Sequence, residues 1–167
     1  MVRREPRPGT KLASLSGVES ELFVVLRVVL AGVFGGVIGL EREARSRPAG
    51  LRTHVLVACA AALFVSLGDV MMQRGEGGGA VALRSDPLRI LEAVVTGVSF
   101  IGAGTILFRR GKDRLEGITT AGSILVTAAI GIATALSQYW TAGLVTVFVF
   151  AVLHGLSRLD EALENRR

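Results

Sequence analysis

Apolar residues fall in five long runs separated by short polar stretches: Leu22–Leu40, Thr53–Val70, Leu88–Phe108, Ile118–Leu136 and Tyr139–Leu156. A helix rises about 1.5 Å per residue, so roughly 20 apolar residues cross the hydrocarbon core of a bilayer. Each run comes close to that length, which predicts an all-α, polytopic membrane bundle of five transmembrane helices. The second run has the shortest uninterrupted apolar part, and Arg52 at its start can snorkel to the interface and lengthen it. Arg27 in the first run and Glu92 in the third lie near a helix end, where a charge costs less than at the bilayer centre.

The stretches between the runs carry turn and loop signals. Glu41 to Arg52 contains Pro48-Ala-Gly, Asp69 to Pro87 contains Gly75-Glu-Gly-Gly-Gly, and Arg109 to Gly117 is charged. Only Ser137-Gln138 separates the last two runs, which predicts a tight hairpin. Residues 1–21, with Pro6, Pro8 and Gly9 among charges, are expected to form a disordered tail; residues 22–156 form the membrane domain. Residues 157–167 form a short C-terminal tail, where the spacing of Leu156, Leu159 and Leu163 suggests a turn or two of surface helix.

Half of the 167 residues are apolar and the mean hydropathy is +0.54. A soluble domain of this length does not carry several runs of spanning length, so lipid is the expected solvent. The first run is too long for a signal-peptide core and is followed by charges, so it reads as a retained helix. The net charge is +5, but the basic residues lie between the spans and no basic stripe is interleaved with aromatics, which argues against a nucleic-acid partner. One cysteine, Cys59, excludes an intramolecular disulfide and a thiolate metal site. The first and third loops with the C-terminal tail hold 11 Lys or Arg, against 7 on the other side, favouring an outside N-terminus and a cytoplasmic C-terminus.

Helices in lipid associate through small residues that let backbones approach. The first span has Gly32, Gly35, Gly36 and Gly39; the third has Gly97, Gly102 and Gly104; the fourth has Ala128, Ala129 and Gly131. Close helix packing is the ordinary reading, and a path lined by glycine backbone is the alternative. Under the favoured topology Arg27 and Glu92 lie at a similar depth below one surface and are expected to pair, as structural glue or as part of an ion path.

The opposite, cytoplasmic end is richer. The first helix ends in Gly39-Leu-Glu-Arg-Glu43, the second begins with Gly50-Leu-Arg-Thr-His54, and Thr119 and Thr120 open the fourth. The two threonines either cap backbone N–H groups there or join Glu41, Glu43 and Arg52 in a polar site. His54 with Glu41 or Glu43 is a weak metal-ligand signal, and an interfacial histidine with ordinary hydrogen bonds is the simpler reading. No nucleophile–base arrangement, phosphate loop or nucleotide fingerprint occurs, so neither an enzyme nor a bound cofactor is expected.

Gly36-Val-Ile-Gly-Leu-Glu-Arg-Glu43 with Pro48-Ala-Gly-Leu-Arg-Thr-His54, then Val94-Val-Thr-Gly-Val-Ser-Phe-Ile-Gly-Ala-Gly-Thr105, Gly117-Ile-Thr-Thr-Ala121 and Ala128-Ala-Ile-Gly131, resemble the signature blocks of the MgtC/SapB membrane proteins. The resemblance runs from the first helix to the last. It implies a bacterial inner-membrane protein, a small non-enzymatic regulator linked to magnesium homeostasis or membrane energetics, with membrane machinery such as ATP synthase or transporters as partners. Homo-oligomers are compatible with it. The motif residues it singles out are Glu41, Arg42, Glu43, Gly50, Arg52, Thr53, Gly97, Gly102, Gly104, Thr119 and Thr120.

The family's virulence members carry a soluble domain after the membrane part, whereas this chain stops soon after Leu156; they also have Asn and Trp where this sequence has Thr119 and Leu125. Regulation through such a domain is therefore not expected. A transporter or channel component using Arg27, Glu92, Glu41, Glu43 and Arg52 is the rival reading, and a purely structural membrane module is a third.

Overall fold

The structure is a computed structural model and describes residues 9–75, 87–107 and 117–164. Among the described residues there are five helices and no strand: α1 (Gly9–Ala44), α2 (Leu51–Gly75), α3 (Pro87–Leu107), α4 (Ile118–Ala135) and α5 (Tyr139–Glu164). Four carry stretches long and apolar enough to cross a membrane: Glu19–Ala44, Leu51–Met72, Leu88–Ile106 and Ile118–Ala135. The apolar part of α5, Tyr139–Gly155, is shorter, although the helix continues beyond it. The protein is a multi-pass membrane protein.

The helices overrun the polar boundaries read from the sequence. α1 is already helical at Gly9, so most of the expected tail continues the first span. After Gly9 the segment Thr10-Lys-Leu-Ala-Ser-Leu holds no further proline, and helix propagates readily from an anchored apolar run. In the same way α2 passes Val70 to reach Gly75, and α5 passes Leu156 through Leu-Asp-Glu-Ala-Leu-Glu164. Residues 1–8, most of the glycine-rich second loop, residues 108–116 and residues 165–167 lie outside the described residues.

α2 and α4 form the middle of the bundle. α1 lies along α2 and touches α4 and α5, whereas α3 lies on α4 and, less extensively, on α2. Glycine explains the close approach of α1 to α2. A Cβ at Gly35 would sit 2.7 Å from the His54 carbonyl oxygen, and one at Gly39 would sit 2.7 Å from Leu51 Cα. Both contacts are with backbone, which cannot yield cheaply. On α4, a Cβ at Gly131 would collide with the Ala58 carbonyl oxygen of α2. Gly36 has only ordinary contacts, Gly102 faces Ala121, and Gly97 and Gly104 face open space, so the last two do not pack within the chain.

The expected Arg27–Glu92 pair does not form. Arg27 on α1 and Glu92 on α3 belong to helices that do not touch, because α4 and α2 stand between them. Arg27 instead reaches the hydroxyl of Tyr139 at the start of α5, and Glu92 is exposed with no ion-pair partner among the described residues. Helix adjacency was not legible in the sequence.

The α4–α5 hairpin is as tight as its two-residue break requires. Leu136 N–H and Ser137 N–H donate to the carbonyls of Ile132 and Thr134, and Gln138 N–H donates to Ala133. Ser137 adopts a φ of 61°, the left-handed conformation that ends many helices.

Candidate functional site

The polar residues of the bundle concentrate where α1 ends, α2 begins and α4 begins. The loop from Arg45 to Gly50 turns the chain there, with Ser46 N–H donating to the Glu43 carbonyl and Arg47 N–H to the Arg42 carbonyl. Because the glycine seam pulls α1 onto α2, the last turn of α1 is drawn into the packed end of the bundle. Glu41 and Arg42 are thereby buried, with side chains 2% exposed.

The two buried charges pair with each other. Arg42 Nε donates to Glu41 Oε2 at 3.0 Å, and Arg45 Nε lies 2.7 Å from Glu41 Oε1, an ion pair whose angle is poor for a hydrogen bond. Glu41 thus lies between two guanidinium groups, one buried and one at the surface. Arg42 Nη1 is buried with no hydrogen-bond partner. Arg45 also reaches α5, its Nη2 donating to the His154 carbonyl at 3.4 Å.

Glu43 does a different job. Its Oε2 accepts the Leu51 N–H at 2.8 Å, so a carboxylate from the end of α1 caps the first turn of α2 and suits that helix's positive end. Gly50 leaves the room: a Cβ there would overlap the Glu43 carboxylate.

His54, fully buried on the first turn of α2, links α2 to α4. Its Nδ1 lies 2.9 Å from the Gly50 carbonyl, which can only accept, so Nδ1 carries a proton. Nε2 lies 3.1 Å from Ser123 Oγ, and Ser123 Oγ lies 2.8 Å from the Thr120 carbonyl. In the neutral ring Nε2 accepts, and the Ser123 proton turns to it and away from Thr120. In the charged ring Nε2 donates, and Ser123 donates to Thr120. Both ring nitrogens are engaged either way, so the pairing of His54 with Glu41 or Glu43 around a metal has no free nitrogen to use. No group of three potential metal-binding side chains occurs among the described residues.

The candidate residues divide by exposure. Glu41, Arg42 and Thr120 are buried; Thr53 and Gly50 are half-buried; Glu43, Arg52 and Thr119 are exposed. The proposed capping by threonine is not found. The N-cap of α4 is Gly117, with no side-chain cap and a φ of 112°, a backbone conformation suited to glycine. A Cβ there would also stand 2.6 Å from the Thr105 carbonyl oxygen of α3.

A sequence model of the MgtC family matches residues 28–162. The chain belongs to the MgtC family. It is 41% identical over 141 residues to the "Putative magnesium transporter YhiD" of Escherichia coli strain K12, covering 80% of this chain and 61% of that protein. It is 40% identical over 141 residues to protein SrpB of Synechococcus elongatus, covering 80% of this chain and 75% of SrpB. It is 39% identical over 137 residues to protein MgtC of Brucella abortus, covering 81% of this chain and 52% of that protein. The chain therefore spans about three-fifths of the E. coli relative and half of the Brucella one. No solved structure matches it significantly.

Every residue of the polar end falls within the stretch that matches the MgtC family. Two participants were not singled out from the sequence. Arg45 lies four residues after Glu41, an ion-pair spacing on a helix that could have been read. Ser123 faces the α2 side of α4, which only the packing reveals.

Proposed function

We propose that this MgtC-family protein is a non-enzymatic regulator in the bacterial cytoplasmic membrane, linked to magnesium homeostasis or membrane energetics, and that it works through the polar end of its bundle. That end is cytoplasmic in the orientation favoured by the distribution of Lys and Arg. The observation that carries the reading is where the polar groups lie. Charged and imidazole groups at this end are tied to one another and to backbone, and Arg52 and Thr119 stand exposed beside them.

Away from that end, the hydroxyls of Thr127, Thr134 and Thr146 donate to carbonyls of their own helices. They sit among Ala, Val and Ile side chains. Such an interior supports packing more readily than passage of an ion, which needs a continuous run of polar groups or water. A fixed buried cluster with exposed polar neighbours is suited to docking a partner such as ATP synthase or a transporter.

Photo-cross-linkers placed at Arg52 and Thr119 in native membrane test this reading. A recurrent membrane-protein adduct from both positions is expected. Capture of nothing but the chain itself would contradict it.

The name of the E. coli relative favours a second reading, in which the protein carries magnesium. Purified protein in liposomes that raises Mg²⁺ flux above empty vesicles would establish it. The regulatory reading expects no such rise.

A further inference from the structure

α3 carries a charged and two hydroxyl side chains on the outward face of its span. The outward positions of α1 carry large apolar side chains such as Leu26, Val29 and Val33, and those of α5 carry Leu144, Val147 and Phe148, which is what lipid solvates well. α3 also exposes Leu88, Val95, Phe100 and Ile101 but turns Glu92, Thr96 and Ser99 outward among them, and its span is the least buried and least hydropathic of the four. Thr96 is satisfied by the Glu92 carbonyl, at 2.7 Å. The Glu92 carboxylate is not satisfied, for Arg89 one turn earlier makes no ion pair with it among the described residues. A carboxylate facing acyl chains is unfavourable, so this face calls for a covering helix with a cation.

The same molecule carries such a cation. Arg27 Nε is buried with no hydrogen-bond partner, and the guanidinium, which interacts with the neutral hydroxyl of Tyr139, makes no ion pair among the described residues. The depths agree. Leu91 packs against an apolar cluster that includes Ala135, the last residue of α4, and Arg27 interacts with Tyr139, the first of α5, so both charges lie near the α4–α5 turn. Val28 and Leu91, their neighbours in sequence, pack against one shared apolar cluster. Yet α1 and α3 stand on opposite flanks of α4 and α2, and within one chain they cannot meet.

Shape agrees with charge. On α3, Gly97 and Gly104 leave open space on either side of Phe100, which is 82% exposed. A helix with bulky outward residues can interdigitate there, and α1 is such a helix.

We propose that α3 packs on α1 of a second copy in the membrane, with Glu92 of one chain paired to Arg27 of the next. The two copies relate by an axis along the membrane normal, which preserves depth, and the contact is head-to-tail, joining unlike faces. The proposal rests on the membrane placement of the bundle and is independent of the regulatory reading, whose test probes the opposite end.

The test uses the full chain with Cys59→Ala, expressed as two differently tagged copies in native membrane, one with Arg27→Cys and one with Glu92→Cys. A short bis-maleimide is expected to give a product carrying both tags, at least tenfold above either product carrying one tag alone. Linkage mainly between Glu92→Cys copies, adducts with other proteins only, or no adduct would each overturn the proposal.

A second measurement covers the chance that cysteine variants assemble poorly. In lipid nanodiscs Glu92→Arg should lower the oligomer fraction about tenfold without lowering accumulation, because the Glu92 side chain is exposed and makes no ion pair among the described residues. Combining it with Arg27→Glu in the same chain should restore the oligomer. Oligomer unaffected by Glu92→Arg, or unrestored by the double variant, contradicts the pairing.

Discussion

The Glu41–Arg42 pair is the residue-scale feature that costs most to disturb. Each side chain is removed from water; Arg45 still faces Glu41 when Arg42 is lost, but loss of Glu41 leaves the buried Arg42 charge uncompensated, at about 3–5 kcal/mol. Glu41→Gln alone should therefore sharply reduce accumulation and melting temperature in detergent. Glu41→Gln combined with Arg42→Met should recover much of the loss, since a neutral pair needs no compensation. A weaker effect belongs to Glu43→Ala, which removes the carboxylate from Leu51 N–H and should cost about 0.5–2 kcal/mol, as for other helix caps. Gly50→Ala should lower the melting temperature similarly, because its methyl would displace the same carboxylate. Ser123→Ala should cost about 1–3 kcal/mol by leaving a buried His54 nitrogen unpartnered, and Ser123→Thr should be milder if its methyl is accommodated. The motif residues were legible in the sequence as a set, but their division of labour was not. Whether a carboxylate caps a helix, as Glu43 does, or pairs with arginine, as Glu41 does, depends on which way the loop from Arg45 to Gly50 folds back.

At the scale of elements, the apolar runs gave the number and order of helices because lipid forces every backbone polar group to be satisfied within its own segment. Helix ends were less legible. Polarity marks where lipid ends, not where helix ends, so α1, α2 and α5 all continue past their apolar parts. Small residues likewise showed which helices can pack closely without showing which faces do. Gly35→Ala and Gly39→Ala should each cost about 1–3 kcal/mol, since a methyl meets α2 backbone there, whereas Gly97→Ala should leave the melting temperature of the monomer unchanged. The hairpin offers an opposite test. Ser137 occupies a left-handed conformation that disfavours a side chain by about 1–2 kcal/mol, so Ser137→Gly should raise the melting temperature slightly and Ser137→Val should lower it. Loss of the 3.5 Å contact with the Tyr139 hydroxyl offsets little of that gain.

The whole molecule separates two kinds of surface. α2 and α4 hold the centre, the packed polar end ties α1, α2 and α4 together, and Arg27 and Glu92, which make no ion pair among the described residues, lie toward the other end on opposite flanks. Bundle adjacency decides this arrangement, and adjacency follows from side-chain packing that hydropathy does not encode. Family membership adds a class of protein, and the polar end is the site through which we propose that it acts. Growth of a deletion strain across a range of magnesium concentrations measures that link most directly, with complementation by the natural chain, Arg52→Ala and Glu41→Gln and with accumulation quantified in each case. The account predicts a growth defect at low magnesium that the natural chain repairs and that Arg52→Ala, accumulating normally, does not. Normal growth of the deletion strain at every magnesium concentration, or full repair by Arg52→Ala and Glu41→Gln alike, would contradict it.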